Sequence, residues 1–300
     1  MPLPLIPGVD LVGKVQTIDS RTAKHYKLKQ GDRVISLIKW GGNSRYTRIS
    51  PEQLVRVPES LDPAEAVCLA ETYLAAFQVL HHGQRIGLRY KQQSLAGKSI
   101  LVIGALSNIG RAIVELAKEA GAPIVYALGS DKQKDVLNRF GATQLSRKVE
   151  SWPPELLGTI DVIVDSSTVF NDESSAYLKS LQGFKGEYIF MGTTTMEIEE
   201  LISKWTQQNK LICTAKPFKM MNKIHAYDVY ASWEINTEGS KRDLGHLIKL
   251  LEKGTIKPRV LDRMPLIKVA RAHEIVDTKR LQGHLVCEPW IRSMQRAVYL

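Results

Sequence analysis

The chain has 300 residues, 44% hydrophobic and 24% charged, which is ordinary for a globular fold and gives ample core for one large domain or two modest ones. Its net charge of +10 favours anionic ligands such as nucleotides or thioester phosphates. The basic residues are scattered rather than blocked, which reads as a solvated surface and argues against a nucleic-acid partner.

Cys68, Cys213 and Cys287 are far apart, with no CxxC pair and no Cys/His cluster. This speaks against a structural zinc or a disulfide framework and fits a reducing compartment. No stretch is apolar and long enough to span a bilayer, and the opening MPLPLIPG lacks the pattern of a signal peptide. A soluble, cytoplasmic protein with no membrane partner is expected.

The first 60 residues read as β-rich, with strands at Val12–Ile18 and Arg33–Ile38 and turn signals at Gly31-Asp32 and Gly41-Gly42. Pro63 opens a helix through Leu80, with Asp62 as its N-cap. A polar bridge, Gln84 to Gln93, leads to Lys98–Ala122, the stretch around which the chain is organised. Ser99–Ile103 is a β-branched run suited to a strand covered on both faces. Gly104 turns the chain, and Ile109, Ile113, Leu116, Ala117 and Ala120 recur at helical spacing up to the stop at Gly121. With the next strand, Pro123–Leu128, this makes a βαβ opening.

Strand and helix then alternate. A helix at Lys132–Phe140 precedes a strand at Val162–Val164, a helix near Glu173–Leu181, and strands at Tyr188–Met191 and Leu211–Thr214. A helix at Leu244–Lys253, a helix at Lys268–Asp277 and a strand at Gly283–Cys287 close the chain. Such alternation predicts an α/β, doubly wound parallel sheet of the Rossmann type.

The turn after Gly104 aims backbone N–H groups and a positive helix end at one point, a natural seat for a pyrophosphate. Gly104, Ala105, Ser107, Asn108, Ile109 and Gly110 are therefore the candidate phosphate-binding residues. The spacing is Gly104-x-x-Ser107-x-x-Gly110, so Ser107 stands where a dinucleotide turn usually has its middle glycine. Its Cβ intrudes where backbone should approach phosphate, while its hydroxyl can donate a hydrogen bond. An ordinary strand-turn-helix that binds nothing is the plain alternative. A valine at position 110 is expected to obstruct the turn with little loss of fold.

Several segments together resemble the medium-chain dehydrogenase/reductase superfamily, in its zinc-independent quinone oxidoreductase and enoyl reductase branch. Pro7-Gly8-Val9-Asp10-Leu11-Val12-Gly13-Lys14-Val15, Gly31-Asp32-Arg33-Val34 with Gly41-Gly42 and Tyr46, Leu250–Pro258, Ala272-His273-Glu274 and Gly283–Val286 carry the likeness in the family's order. Val9 stands where zinc-binding members carry a histidine, so the resemblance implies no metal. It also implies two domains. A GroES-like catalytic domain, lacking its first strands, would take 1–72 and 256–300, and a nucleotide-binding domain would take 73–255.

The reaction the resemblance implies is hydride transfer from NADPH to an electrophilic small molecule: a quinone, an enone or an enoyl thioester. The second strand ends Ala127-Leu128-Gly129-Ser130 and is followed by Asp131-Lys132-Gln133-Lys134. Ser130, Lys132 and Lys134 are candidates for the 2′-phosphate of NADP(H), with Gln133 where the family has its usual lysine. Asp131 falls late for holding the ribose of NAD. Ser130 as a plain N-cap with both lysines on a solvated face is the structural alternative.

Ser166 and Thr168 after the third strand, and Gly192 and Thr193 after the fourth, are carried over as cofactor contacts. Ala75 replaces a common threonine near the cofactor. Tyr73, on the helix between domains, and Tyr46, on a strand, are the candidate proton donors. The second reading is a catalytically impaired homologue that binds cofactor and acts as a regulatory or scaffold protein. A homodimer through a sheet edge of the nucleotide domain is common in the family.

Overall fold

The computed structural model describes residues 5–82, 95–166, 187–191, 224–227, 229–279 and 281–291. The chain divides into two compact units, Met1–Leu74 with Val229–Leu300, and Ala75–Asp228.

In the first unit, β1 (Asp10–Lys14) pairs antiparallel with β2 (Arg33–Leu37), and β2 with β3 (Val55–Arg56). Between β1 and β2 lies a helix absent from the sequence expectation, α1 (Ser20–Tyr26). It buries no residue and rests on its caps. Asp19 accepts from Arg21 N and Thr22 N, and Lys27 ends it in the left-handed region at φ 54°. The expected helix from Pro63 starts as foreseen, with the Asp62 carboxylate accepting from Ala64 N at 2.8 Å in α2 (Pro63–Val67). A π-helical turn, Leu69–Tyr73, follows and passes into α3 (Leu74–His82).

The second unit is a parallel sheet. Strands β4 (Ser99–Ile103), β5 (Ile124–Leu128), β6 (Thr143–Leu145), β7 (Val162–Asp165), β8 (Glu187–Met191) and β9 (Ile224–Tyr227) lie in the order β6-β5-β4-β7-β8-β9. Every neighbouring pair is parallel, with Ile100 opposite Val125 on one side and Val162 on the other. All five residues of β4 are buried, as its unbroken apolar run requires. Helix α4 (Asn108–Glu119) buries Ala112, Ile113, Val114, Leu116 and Ala117. It ends where Gly121 takes φ 88°. The short α5 (Lys134–Arg139) buries Leu137, and α6 (Leu156–Thr159) precedes β7. The Asp161 carboxylate accepts from Ser99 N at 2.9 Å, which holds it below the usual carboxylate range and pins the start of β7 to the start of β4. The expected helix near Glu173–Leu181 and the strand at Leu211–Thr214 lie outside the described residues.

Helices α7 (Val229–Ile235) and α8 (Thr237–Glu252) return the chain to the first unit. Their place there moves the second domain crossing from the expected 256 to Val229. The physical reason is α8's inner face of Leu244, Leu247, Ile248 and Leu251, which packs against the π-turn and β3. Strand β10 (Val260–Pro265), helix α9 (Val269–Thr278) and strand β11 (His284–Glu288) complete the unit, with β10 and β11 parallel.

Candidate functional site

The sheet order fixes where a ligand can sit. From β4 the chain moves one way to β5 and β6, then returns to β7 on β4's other side. The carboxyl ends of β4 and β7 therefore flank a topological switch point, where open parallel sheets hold their ligands.

At that point β4 runs out at Ile103, and Gly104 takes φ 78°, a conformation that a side chain would strain. Ser107 N closes the turn by donating to Gly104 O at 2.9 Å. Ser107 is the N-cap of α4, with extended backbone and its Oγ accepting from Gly110 N at 3.0 Å. Arg111 N donates back to Ser107 O at 3.0 Å. Helix geometry leaves the N–H groups of Asn108 and Ile109 without an intrahelical acceptor, at the positive end of a 12-residue helix. Ser107 is thus no mere intruder on a glycine position. It organises the helix start that would face a phosphate.

Gly110 answers to a different demand. A Cβ there would lie 2.2 Å from Gly104 O and 2.7 Å from Ala105 Cα. The residue lets α4 approach the turn leaving β4, so it is a packing glycine. The expectation that a larger residue would leave the fold intact is corrected on this ground.

From β7, Ser166 reaches the same place. Its N–H and its hydroxyl both donate to Ile103 O, at 3.1 and 2.8 Å, and its Oγ lies 3.5 Å from Ser107 Oγ. Ser166 has committed its proton and Ser107 its lone pair to Gly110 N–H. The Ser107 hydroxyl is then the donor across the long 3.5 Å contact to Ser166 Oγ, a weak bond that a ligand oxygen at this point would replace. Asp165, fully buried beside Ser166, was not foreseen. The signal was present in Val162-Ile163-Val164-Asp165, an apolar strand that ends on a carboxylate at the ligand-facing end of the sheet.

Ser130 follows β5 as the N-cap of a short helical turn, with the Gln133 side chain accepting from Ser130 N at 2.9 Å. This capping box gives Gln133 a task at the place where the family has its lysine. Lys132 and Lys134 are exposed on either side of it. Thr168, Gly192 and Thr193 lie outside the described residues.

The two tyrosines are not brought together. Tyr73 sits in the π-turn, 3% exposed, and Ala75 is buried just beyond. Tyr46 is not on a strand, as the sequence suggested, but in the loop after β2. It is 68% exposed, edge-on to Trp290 with ring centroids 5.9 Å apart.

A further group escaped the sequence reading. Asp10 on β1 faces Glu71 of the π-turn, and burial together with that second carboxylate pushes its pKa up to about 7. Burial and the nearby Asp10 push the Cys68 thiol well above its ordinary value, and it donates to Ala64 O at 3.2 Å. A thiol so placed is no nucleophile.

Val9 takes the histidine's place, and among the described residues no group of three or more His, Cys, Asp or Glu side chains is arranged to hold a metal. A nicotinamide dinucleotide does fit. The turn at the switch point offers two helix-end N–H groups and a serine hydroxyl to its pyrophosphate.

The chain matches the family model described as zinc-binding dehydrogenase over residues 141–287. It is 24% identical over 293 residues to a quinone oxidoreductase of Rattus norvegicus, covering 95% of this chain and 80% of the relative. Its fold is that of human synaptic vesicle membrane protein VAT-1 homolog-like protein, with TM-score 0.68, 18% identity and coverage of 98% of this chain and 82% of the other. It is also that of the JamJ enoyl reductase, with TM-score 0.68, 20% identity and coverage of 94% and 78%. Family model, relative and shared fold agree: the chain is similar to zinc-binding dehydrogenases over its second half and to a quinone oxidoreductase over nearly its whole length, and it has the fold of an enoyl reductase.

Proposed function

We propose that this oxidoreductase uses NADPH, without zinc, to reduce an electron-poor small molecule of the quinone, enone or enoyl type. The observation that carries the reading is the Gly104–Gly110 turn, capped by Ser107 and set at the β4/β7 switch point. The names of similar proteins, a quinone oxidoreductase and an enoyl reductase, support the substrate class.

Each residue's part follows from its placement. Asn108 N and Ile109 N bind a pyrophosphate oxygen, the Ser107 hydroxyl adds a third donor, and Ser166 holds the strand ends in register beneath it. Lys132 and Lys134 lie on the turn after β5, where this fold receives the adenosine ribose, and attract a 2′-phosphate rather than a bare hydroxyl. Bound nicotinamide supplies the hydride. In the first unit, Asp10 is a carboxyl that still carries its proton near neutral pH.

The test is titration of the purified chain with NADPH and NADH, followed by nucleotide fluorescence, in wild type and in Lys132→Glu/Lys134→Glu. NADPH preference in the wild type, lost in the variant, is the expected result. Equal weakening of both nucleotides would remove the 2′-phosphate assignment. NADPH binding without turnover of any quinone or enone would leave the cofactor site standing and favour the impaired homologue.

A further inference from the structure

The loop after β2 and the end of β11 build a surface that the reductase reading does not use. Trp290 is 63% exposed and meets Tyr46 edge to face. The Arg45 guanidinium lies 5.2 Å from the Trp290 ring centroid, within cation–π range. Arg48 is exposed on the same loop, and neither arginine is paired with a carboxylate among the described residues. The one carboxylate close in sequence to Trp290, Glu288, is already engaged by Arg263 at 3.2 Å.

The loop is braced before anything binds. Gly42 N donates to Gly8 O and Asn43 N to Pro7 O, both at 2.9 Å, and Ser44 Oγ lies within hydrogen-bond reach of Gly41 O and Tyr46 O. Exposed Trp, Tyr and Arg, held rigidly together, form the composition of a binding hot spot, with little side-chain entropy left to lose.

We propose that the Arg45–Tyr46–Trp290 surface docks an acidic protein segment that carries an aromatic or apolar side chain. Charge selects this occupant. A second copy joined two-fold through the same patch would set arginines against arginines. The chain's own residues 292–300, RSMQRAVYL, bring Arg292 and Arg296 and no acidic side chain. Nucleic acid is disfavoured because the chain's basic residues are scattered rather than gathered into the block or stripe that tracks a phosphate backbone.

The experiment measures binding of the whole chain to an immobilised glutamate–tyrosine copolymer, to polyglutamate and to poly(U) at physiological salt. Variants are Trp290→Ala and Arg45→Glu, with Lys249→Glu on the exposed face of α8 as a charge control, each checked for native circular dichroism. The copolymer should bind more tightly than polyglutamate. Either patch variant should weaken it at least about tenfold, as truncation of a hot spot does, while the control changes it little. Equal weakening by Lys249→Glu would reduce the effect to net charge and overturn the proposal. So would equal binding of copolymer and polyglutamate, a preference for poly(U), or a dimer that Arg45→Glu dissociates.

Discussion

Gly110→Ala is the sharpest test of the turn, because two effects of opposite sign meet in one methyl group. In an open helix the change would be favourable, since alanine exceeds glycine in helix propensity by about 1 kcal/mol. Here the new Cβ would stand 2.2 Å from Gly104 O and 2.8 Å from Gly104 C, roughly 1 Å short of ordinary contact. Both are backbone atoms and cannot swing aside, so α4 must move off β4. Overpacking of this kind costs about 1–3 kcal/mol, and the immovable neighbours put this site at the upper end. The net expectation is a loss of about 2 kcal/mol together with weaker NADPH binding, because Ser107, Asn108 and Ile109 move with the helix. Urea unfolding followed by circular dichroism measures the first, and fluorescence titration the second. Gly245→Ala, on α8 where a Cβ would meet nothing within 4 Å, is the reference and should gain about 0.5–1 kcal/mol. Equal gains at both positions would show that the close approach at Gly110 does not constrain the protein, and the reasoning would fail.

Asp10 makes stability fall as pH rises. Its folded pKa of about 7 stands above the ordinary 3.8, so the folded state keeps a proton that the unfolded chain releases, and stability declines from about pH 4 to pH 7. Asp10→Asn should remove that slope and be more stable than wild type at pH 8 by roughly 1–3 kcal/mol, allowing for the residue's partial exposure. Parallel pH profiles for the two proteins would refute the pairing with Glu71. Gln133→Lys should break the capping box at a cost of about 0.5–1 kcal/mol while raising the ratio of NADPH to NADH affinity. An unchanged ratio would separate this turn from the 2′-phosphate. Asp62 both caps α2 and pairs with Arg263, so Asp62→Ala should cost about 1–2 kcal/mol, whereas Asp62→Asn keeps the cap and should cost well under half of that. Equal losses in thermal melts would assign the effect to the ion pair instead.

Elements whose cause is local were legible. The buried run Ser99–Ile103, the apolar spacing of α4 and the Asp62 cap all announce themselves within a few residues, and each stands where expected. Elements sustained from elsewhere were not. Helix α1 has no apolar stripe to read, and only the Asp19 cap marked it. Strand β6 is three residues long and exists through its pairing with β5. Helix α8 begins seven residues before the Leu244 at which its helical pattern was read, in a stretch that opens with Thr237-Glu238-Gly239, where Asn236 caps the chain through Gly239 N.

The candidate site shows a subtler limit. A glycine in a phosphate-turn motif can serve the approach of a ligand or the approach of the protein to itself, and both demands erase the side chain in the same way. What separates them is the atom that a Cβ would strike. At Gly110 that atom is the carbonyl oxygen of Gly104, so the motif's last glycine belongs to the fold and only indirectly to the ligand. At position 107 the reverse holds. The expected glycine is missing, yet its replacement supplies a cap to Gly110 N and a hydroxyl beside Ser166. The departure from the motif therefore serves the helix start, because the Ser107 oxygen accepts from Gly110 N and fixes the first turn of α4, where a glycine would leave that N–H without its side-chain acceptor.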